Sequence, residues 1–210
     1  MLTSPAQVLM PWAGRVKGVV SAFIGGQELG NALAAVLYGD ADPGGRLPMT
    51  FAARAADYPA STPEQFPGVG HRQVYSERLR VGYRHFDATG LTPLFPFGHG
   101  LSYTSFSYDS LSISGATVRA RVTNTGSRAG VAVPQLYLGF PPEAGEPPRQ
   151  LRGFARLRLA PGESATVAFR LPERAFQVWT SQGWSTVRGD HTVQVGASSR
   201  DLPLSGTLTR

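Results

Sequence analysis

The 210-residue sequence predicts an α+β fold, and three successive patterns along the chain predict it. A short apolar run at residues 16–24 is followed by a helical pattern with one apolar face. Prolines then interrupt residues 40–103, and apolar and polar residues alternate after Phe106. These patterns predict a partial α/β segment of the strand-loop-helix type, a long wrapping linker and a β-sandwich.

The first pattern predicts one strand and one helix. The run VKGVVSAFI suits a buried strand, which Gly25 and Gly26 end. Gly39 stands where the C-terminal cap of the following helix belongs. The apolar face of that helix consists of Leu29, Leu33, Val36 and Leu37. Because one such unit cannot cover both faces of a parallel strand, we expect the other strands of the sheet to come from elsewhere.

The second pattern, from Asp40 to about Tyr103, has no regular period. A structureless stretch of this length is anomalous inside a compact domain, so we expect it to wrap over a surface or to link two domains. Its second half is rich in aromatic side chains, which need a surface to pack against. They are Tyr75, Tyr83, Phe86, Phe95, Phe97, Tyr103, Phe106 and Tyr108.

The third pattern predicts about seven short strands. Val118, Ala120 and Val122 alternate with polar residues, and the later runs are separated by turn signals such as Pro161-Gly162 and Ser181-Gln182-Gly183. About seven strands in about a hundred residues are typical of an immunoglobulin-like sandwich. Without cysteine, the sandwich is expected to be of the fibronectin III kind.

Composition excludes several kinds of function. The net charge of +6 comes almost entirely from arginines, because Lys17 is the one lysine. Arginines such as Arg119 and Arg121 alternate with apolar residues, as on the solvent face of a strand, and no basic cluster predicts nucleic-acid binding. The absence of cysteine excludes disulfides and thiolate metal sites. With no export signal in residues 1–12 and no span-length apolar run, we expect no membrane contact and a soluble, cytoplasmic chain as encoded.

Most candidate sites in the sequence have a structural interpretation. The loop at residues 25–30 lacks the G-x-G-x-x-G spacing, and Glu28 would repel a phosphate there. Asp40 and Asp42 lie in a Pro-Gly turn, where Asx-turn chemistry is simpler than a calcium loop or a catalytic pair. Two short patterns are also missing, namely a serine nucleophile elbow and metal-ligand spacing among His71, His85, His99 and His191. We therefore expect neither a metal nor a cofactor, and a loop-packing role for His99.

Glu77 is the most interesting lone carboxylate, because aromatic residues and three arginines surround it in VYSERLRVGYRHFD. A glycosidase needs two carboxyl groups on either side of the scissile bond, and no second candidate stands nearby in sequence. We favour a buried or interfacial ion pair between Glu77 and an arginine, and keep Glu77 as a candidate substrate-binding residue.

Several motifs in unbroken order resemble those of family 3 glycoside hydrolases of the β-glucosidase type. They cover nearly the whole chain, and several independent motifs in the same order are far more specific than any one alone. The motifs are VLMPW (8–12), GGQELGNALAAVLYGDADPGGRLPMTF (25–51), VGYRHFD (81–87), PLFPFGHGLSYTSF (93–106), VTNTGSRAGVAVPQLYL (122–138) and PPRQLRGFARLRLAPGES (147–164).

The resemblance implies a parent enzyme with a TIM-like barrel, an α/β sandwich domain and a fibronectin-III-like domain. It divides this chain into a remnant of the α/β domain (1–51), an aromatic- and proline-rich linker (52–103) and the fibronectin-III-like sandwich (104–210). In such enzymes the nucleophilic aspartate and the acid/base glutamate precede the segment that matches residues 8–12. We therefore assign no catalytic residue here and expect the chain alone to be inactive.

The partner that the resemblance implies is the missing barrel and α/β domain, and the parent's substrate is a carbohydrate. Two other hypotheses remain open: an autonomous glycan- or protein-binding scaffold module, and one half of a split enzyme. The chain also departs from the family where Leu29 and Arg78 replace glycines, which is compatible with tolerance or with relaxed constraint.

Overall fold

A computed structural model describes all residues from Met1 to Arg210. It contains two α-helices, α1 (Leu29–Tyr38) and α2 (Tyr83–Thr89), and four short 3₁₀ turns. Eleven strands follow α2. They are β1 (Phe106–Ser114), β2 (Thr117–Asn124), β3 (Gly130–Ala132), β4 (Gln135–Gly139), β5 (Gln150–Phe154), β6 (Leu157–Leu159), β7 (Ser164–Arg170), β8 (Gln177–Thr180), β9 (Gly183–Thr186), β10 (Asp190–Gly196) and β11 (Leu204–Thr209).

The strands form the predicted sandwich. One antiparallel sheet has the order β1-β2-β7 and the other β11-β10-β4-β5, while β3 pairs with β6 and β8 with β9. Apolar side chains of both main sheets meet in one cluster of twelve buried residues. The alternation predicted in β2 is confirmed, since Val118, Ala120 and Val122 are buried and Arg119 and Arg121 exposed.

Strand β11 lies outside the predicted runs. Its sequence, LSGTLT, contains only two apolar residues, Leu204 and Leu208, and a central glycine, so the alternation is weak. The strand forms because its backbone pairs with β10 along six consecutive residues. Pairing of this kind depends on the neighbouring strand and leaves little signal in the local sequence.

The first 51 residues confirm the helix but not the buried strand. Helix α1 ends at Gly39, whose φ of 84° is the left-handed cap conformation. Residues 16–24 form no strand, and one parallel bridge joins Leu2 to Ser21. Ile24 is 77% exposed. A parallel strand is stabilised by neighbours on both sides, and this segment has a single short one.

The proline-rich stretch packs against the sandwich, as the sequence predicts. Residues 47–51 exchange backbone hydrogen bonds with residues 94–99, including Phe51 N to Phe95 O at 2.9 Å and Leu47 N to His99 O at 2.8 Å. The amide of Gln135 in β4 then donates to Gly98 O at 3.0 Å. These contacts fix residues 94–99 next to β4. Neither helix is long and apolar enough to cross a membrane.

Candidate functional site: an aromatic cavity containing Glu77

A cavity of about 500 Å³ lies where the proline-rich stretch turns into α2. Its walls come from residues 48–50, 58–60 and 77–86, with Gln7 and Phe97 at the sides. Half of its fourteen lining residues are hydrophobic. Aromatic walls with a few polar groups are typical of small-molecule sites.

Tyr83 forms the best-anchored wall of the cavity. Gly82, with φ 54°, lets the chain turn sharply into α2, so Tyr83 begins the helix facing the sandwich. Its ring stacks on Phe97 at 4.9 Å and meets the edge of Tyr137 at 5.8 Å. Its hydroxyl accepts a hydrogen bond from Leu151 N at 2.8 Å. A ring held on three sides has little freedom to lose when a ligand binds.

Tyr58 and Phe86 form a second aromatic wall. Their rings meet edge to face at 6.5 Å, and Phe86 is 1% exposed. The hydroxyl of Tyr58 accepts a hydrogen bond from Ala52 N at 3.1 Å. Beside it, Arg54 and Asp57 form an ion pair at 2.7 Å, in which hydrogen bonds from Arg54 lower the pKa of Asp57. The turn that carries Tyr58 is therefore held at both ends.

Three polar side chains line the cavity close to these walls. The hydroxyl of Thr50 is buried and has no hydrogen-bond partner in the chain. The Arg84 guanidinium carbon lies 5.9 Å from the centroid of the Tyr83 ring. Glu77 is half-buried and accepts a hydrogen bond from the amide of Gln65 at 3.3 Å. The predicted ion pair of Glu77 is wrong, because no arginine lies within ion-pair distance of its carboxylate. The neighbouring Arg78 has a φ of 50°, in the left-handed region.

The cavity lacks the pair of carboxyl groups that glycoside hydrolysis needs. Glu77 is its only carboxylate, whereas hydrolysis of a glycosidic bond requires two. Elsewhere in the chain, no three His, Asp or Glu side chains come together as metal ligands. The cavity offers hydrogen bonds through a carboxylate, a guanidinium and an unpaired hydroxyl. Its aromatic rings offer a stacking surface.

Asp87, on the other side of α2, anchors the cavity to the sandwich. Its carboxylate lies 3.2 Å from Nε of Arg149 and 3.0 Å from Nε of Arg200, and it is 1% exposed. Burial raises the pKa of Asp87, and the charges of the two arginines oppose that rise. Arg200 also donates to Leu91 O at 2.9 Å, so one ionic cluster ties the C-terminal part of α2 and the segment after it to the sandwich.

Asp42 has a structural role, but not the one predicted. Its side chain makes no Asx turn and instead accepts hydrogen bonds from Ser102 Oγ at 2.6 Å, Tyr103 N at 2.9 Å and Val131 N at 2.9 Å. Burial raises the pKa of Asp42, but these hydrogen bonds outweigh burial and leave the pKa below its ordinary value. Asp40 is exposed and takes no part.

His99 packs within its loop, as predicted. Its ring stacks on Phe95 with the centroids 5.9 Å apart, and burial together with the charge of Arg46 lowers its pKa.

Sequence reasoning missed Thr50, Tyr58 and Asp87, which the fold brings to the cavity or beneath it. The motif VGYRHFD contains both Tyr83 and Asp87, four residues apart, and this helical spacing was the available signal.

Two family models match the chain. The model of the glycosyl hydrolase family 3 C-terminal domain matches residues 1–103, and that of the fibronectin type III-like domain matches residues 132–199. The first match contains the whole lining of the cavity, and the second contains the centre of the sandwich.

Relatives and solved structures agree with these matches. Thermostable beta-glucosidase B of Acetivibrio thermocellus is 41% identical across 99% of the chain. DesR, a beta-glucosidase from Streptomyces venezuelae solved in complex with D-glucose, superposes with a TM-score of 0.93 at 39% identity over 97% of the chain. Beta-glucosidase 3B from Thermotoga neapolitana, solved in complex with glucose, superposes with a TM-score of 0.89 at 38% identity over 98% of the chain.

The chain accounts for under a third of each of these relatives, at 29%, 27% and 30% of their lengths respectively. The part that it matches is the one that the first family model describes as C-terminal, followed by the fibronectin type III-like domain. This chain therefore belongs to glycosyl hydrolase family 3 and corresponds to the C-terminal region of its β-glucosidases.

Proposed function

We propose that this chain completes a β-glucosidase that removes terminal β-linked sugars, while both catalytic carboxylates reside in an N-terminal region. The observation that carries the proposal is the alignment of 99% of the chain with 29% of a β-glucosidase. In a retaining mechanism one carboxylate attacks the sugar and the other transfers the proton. The single carboxylate of the cavity supports a role beside that pair rather than within it.

The proposed partner is the N-terminal region of the enzyme, packed against residues 1–81. Seventeen large hydrophobic side chains are exposed, and twelve of them lie in this stretch, including Ile24 at 77% and Tyr38 at 86%. Exposed apolar residues that are concentrated in one part of a chain indicate an interaction surface. The sandwich, by contrast, closes its own core.

Glu77 is the residue of this chain best suited to contact the sugar. Its carboxylate is half-buried, lies in the aromatic cavity and is bonded to a neutral amide rather than to an arginine. It therefore keeps acceptor capacity for sugar hydroxyls. We propose that Glu77 positions substrate and takes no part in bond cleavage.

The test is the activity of purified residues 1–210 on an aryl β-glucoside. Because the chain provides one carboxylate to the cavity, we expect no hydrolysis above the uncatalysed rate. Turnover by the folded chain that disappears in Glu77→Gln would contradict the proposal and make Glu77 a catalytic residue. The matched control is Glu64→Gln, an exposed carboxylate outside the cavity.

A further inference from the structure

Two tryptophans face solvent side by side on the β8–β9 hairpin. Trp179 is 67% exposed and Trp184 48% exposed, although tryptophan is ordinarily among the more buried residues. The two residues are directly opposite each other across the hairpin. Their ring centroids are 5.2 Å apart with an interplanar angle of 64°, so the rings form an open angular notch.

The hairpin holds this notch in place without help from the main sheets. It forms a two-stranded sheet of its own. Thr180 Oγ1 donates to Gly183 O at 2.9 Å and accepts from Gln182 N at 3.2 Å, which closes the turn. At the open end, the amide of Gln177 donates to Thr186 Oγ1 at 3.3 Å. A ligand would therefore meet rings that are already positioned, at a low cost in conformational entropy.

The chemistry around the notch is neutral and polar. Residues 177–187 contain no charged side chain in a protein of net charge +6, and their polar side chains are serine, threonine and glutamine. The guanidinium of Arg174 stacks over one face of Trp184, with its carbon 3.0 Å from the ring centroid, so only the other face of this ring is open to a ligand. Next to it, Glu173 accepts a hydrogen bond from Thr186. Glu173 and Arg174 carry opposite charges, so this pair adds no net charge beside the hairpin that would favour a phosphate or an acidic partner.

The notch also lacks the contiguous apolar centre that is usual for a protein partner. A stable protein interface covers roughly 800 Å² on each side, usually with a contiguous apolar centre. Here hydroxyl and amide groups surround two rings. A pyranose ring has the complementary pattern, because its C–H faces stack on indole rings while its hydroxyls bond to neutral polar side chains.

We propose that Trp179 and Trp184 form a binding site for a neutral β-gluco-oligosaccharide, separate from the cavity that contains Glu77. The choice of a β-gluco-oligosaccharide as the ligand rests on the proposed function, whereas the site itself does not. Such a site would hold a glucan chain on the enzyme without contributing to bond cleavage. It needs no residue outside this chain, so the 210-residue protein is sufficient to test it.

The experiment titrates the chain with cellohexaose and with laminarihexaose, and follows the indole N–H resonances and calorimetric heat. We expect at least one hexaose to bind and to shift two of the three indole resonances, leaving that of Trp12 unchanged. Trp179→Ala and Trp184→Ala should each weaken binding at least tenfold. Phe154→Ala is the matched control, because Phe154 is 69% exposed on β5, outside the hairpin, and its loss should change affinity less than twofold.

Failure of both hexaoses to bind at millimolar concentration would overturn the proposal. Binding that leaves the resonances of Trp179 and Trp184 in place would overturn it too, and this readout needs no variant to fold. This binding result is independent of the aryl-glucoside assay, because hexaose binding tests Trp179 and Trp184 whereas aryl-glucoside turnover tests Glu77. A chain that binds neither hexaose can still complete a β-glucosidase.

Discussion

Asp42 shows how one side chain joins two distant parts of this chain. Its two carboxylate oxygens accept from Ser102 and Tyr103 on one side and from Val131 on the other, residues 60 to 89 positions away. Arg46 adds a donor to Val131 O at 3.2 Å, and Arg128 donates to Gly39 O at 2.5 Å. The end of α1 is therefore attached to the sandwich mainly by polar contacts.

Replacing Asp42 with alanine should lower the free energy of unfolding by about 1–3 kcal/mol, because the buried Val131 amide loses its acceptor. Urea unfolding measures the difference. The neighbouring Asp40→Ala, which removes an exposed carboxylate, should stay within about 0.5 kcal/mol of the parent chain. Equal losses in the two variants would contradict the role of Asp42.

His191 is a buried residue whose protonation should oppose folding. It is fully buried between the rings of Phe140 and Phe176, at 5.2 and 5.3 Å. Nδ1 lies 3.1 Å from Gly189 O, whereas Nε2 is buried without a partner. Burial, together with the charge of Arg210, lowers the pKa of His191 below its ordinary value of 6.5, against the opposing effects of Gly189 and Asp190.

A lowered folded-state pKa means that the unfolded chain binds the proton more readily. The contribution of His191 is therefore complete above about pH 6.5 and declines as the pH falls through the unfolded value towards the folded one. His191→Phe should show a shallower loss of stability between pH 7.5 and pH 5, measured by thermal unfolding. The control His71→Asn, at an exposed left-handed position, should keep the parent slope, and a parent slope in His191→Phe would contradict the argument.

At the scale of elements, the sequence predicts the helices and strands that local interactions stabilise. The apolar face and Gly39 predict α1 to its last residue, and strict alternation predicts β2. The sequence does not predict β11, or the loss of the 16–24 strand, because both depend on which neighbour provides hydrogen bonds. The cavity could not be predicted from the sequence for the same reason, since the fold brings Thr50, Tyr58 and Glu77 together from separate turns.

The cluster of Asp87, Arg149 and Arg200 gives a test of where the sandwich unit begins. We propose a boundary near residue 104, and residues 104–210 contain the whole twelve-residue core. Both 104–210 and 83–210 should therefore fold. The longer piece should be more stable by about 1.5–3 kcal/mol, because Tyr83 covers Tyr137 and the buried Asp87 pairs with Arg149 and Arg200.

Urea unfolding of the two pieces measures this difference. Asp87→Ala in the longer piece serves as the control, because it keeps the aromatic contacts but removes the ionic ones. It should be less stable than unmodified 83–210, since two arginines lose their counter-ion. Equal midpoints for 83–210 and 104–210 would mean that α2 contributes nothing to the sandwich.

At the scale of the molecule, the two halves of the chain differ in how well they bury their own apolar side chains. The sandwich buries its apolar residues between two sheets, whereas residues 1–81 leave twelve large hydrophobic side chains exposed. Each exposed Leu, Ile or Val forgoes roughly 1.5–3 kcal/mol of burial. Such a surface suits a chain that folds against further protein, in agreement with its 29% share of a relative's length.

The most direct test is a chimaera in which residues 1–210 replace the matching region of the Acetivibrio thermocellus β-glucosidase. Because that relative's remaining N-terminal region supplies both carboxylates in our account, we expect the chimaera to hydrolyse an aryl β-glucoside, while neither part does so alone. Glu77→Gln in the chimaera should raise KM more than it lowers kcat. A chimaera that folds as one cooperative unit yet shows no hydrolysis would contradict the account.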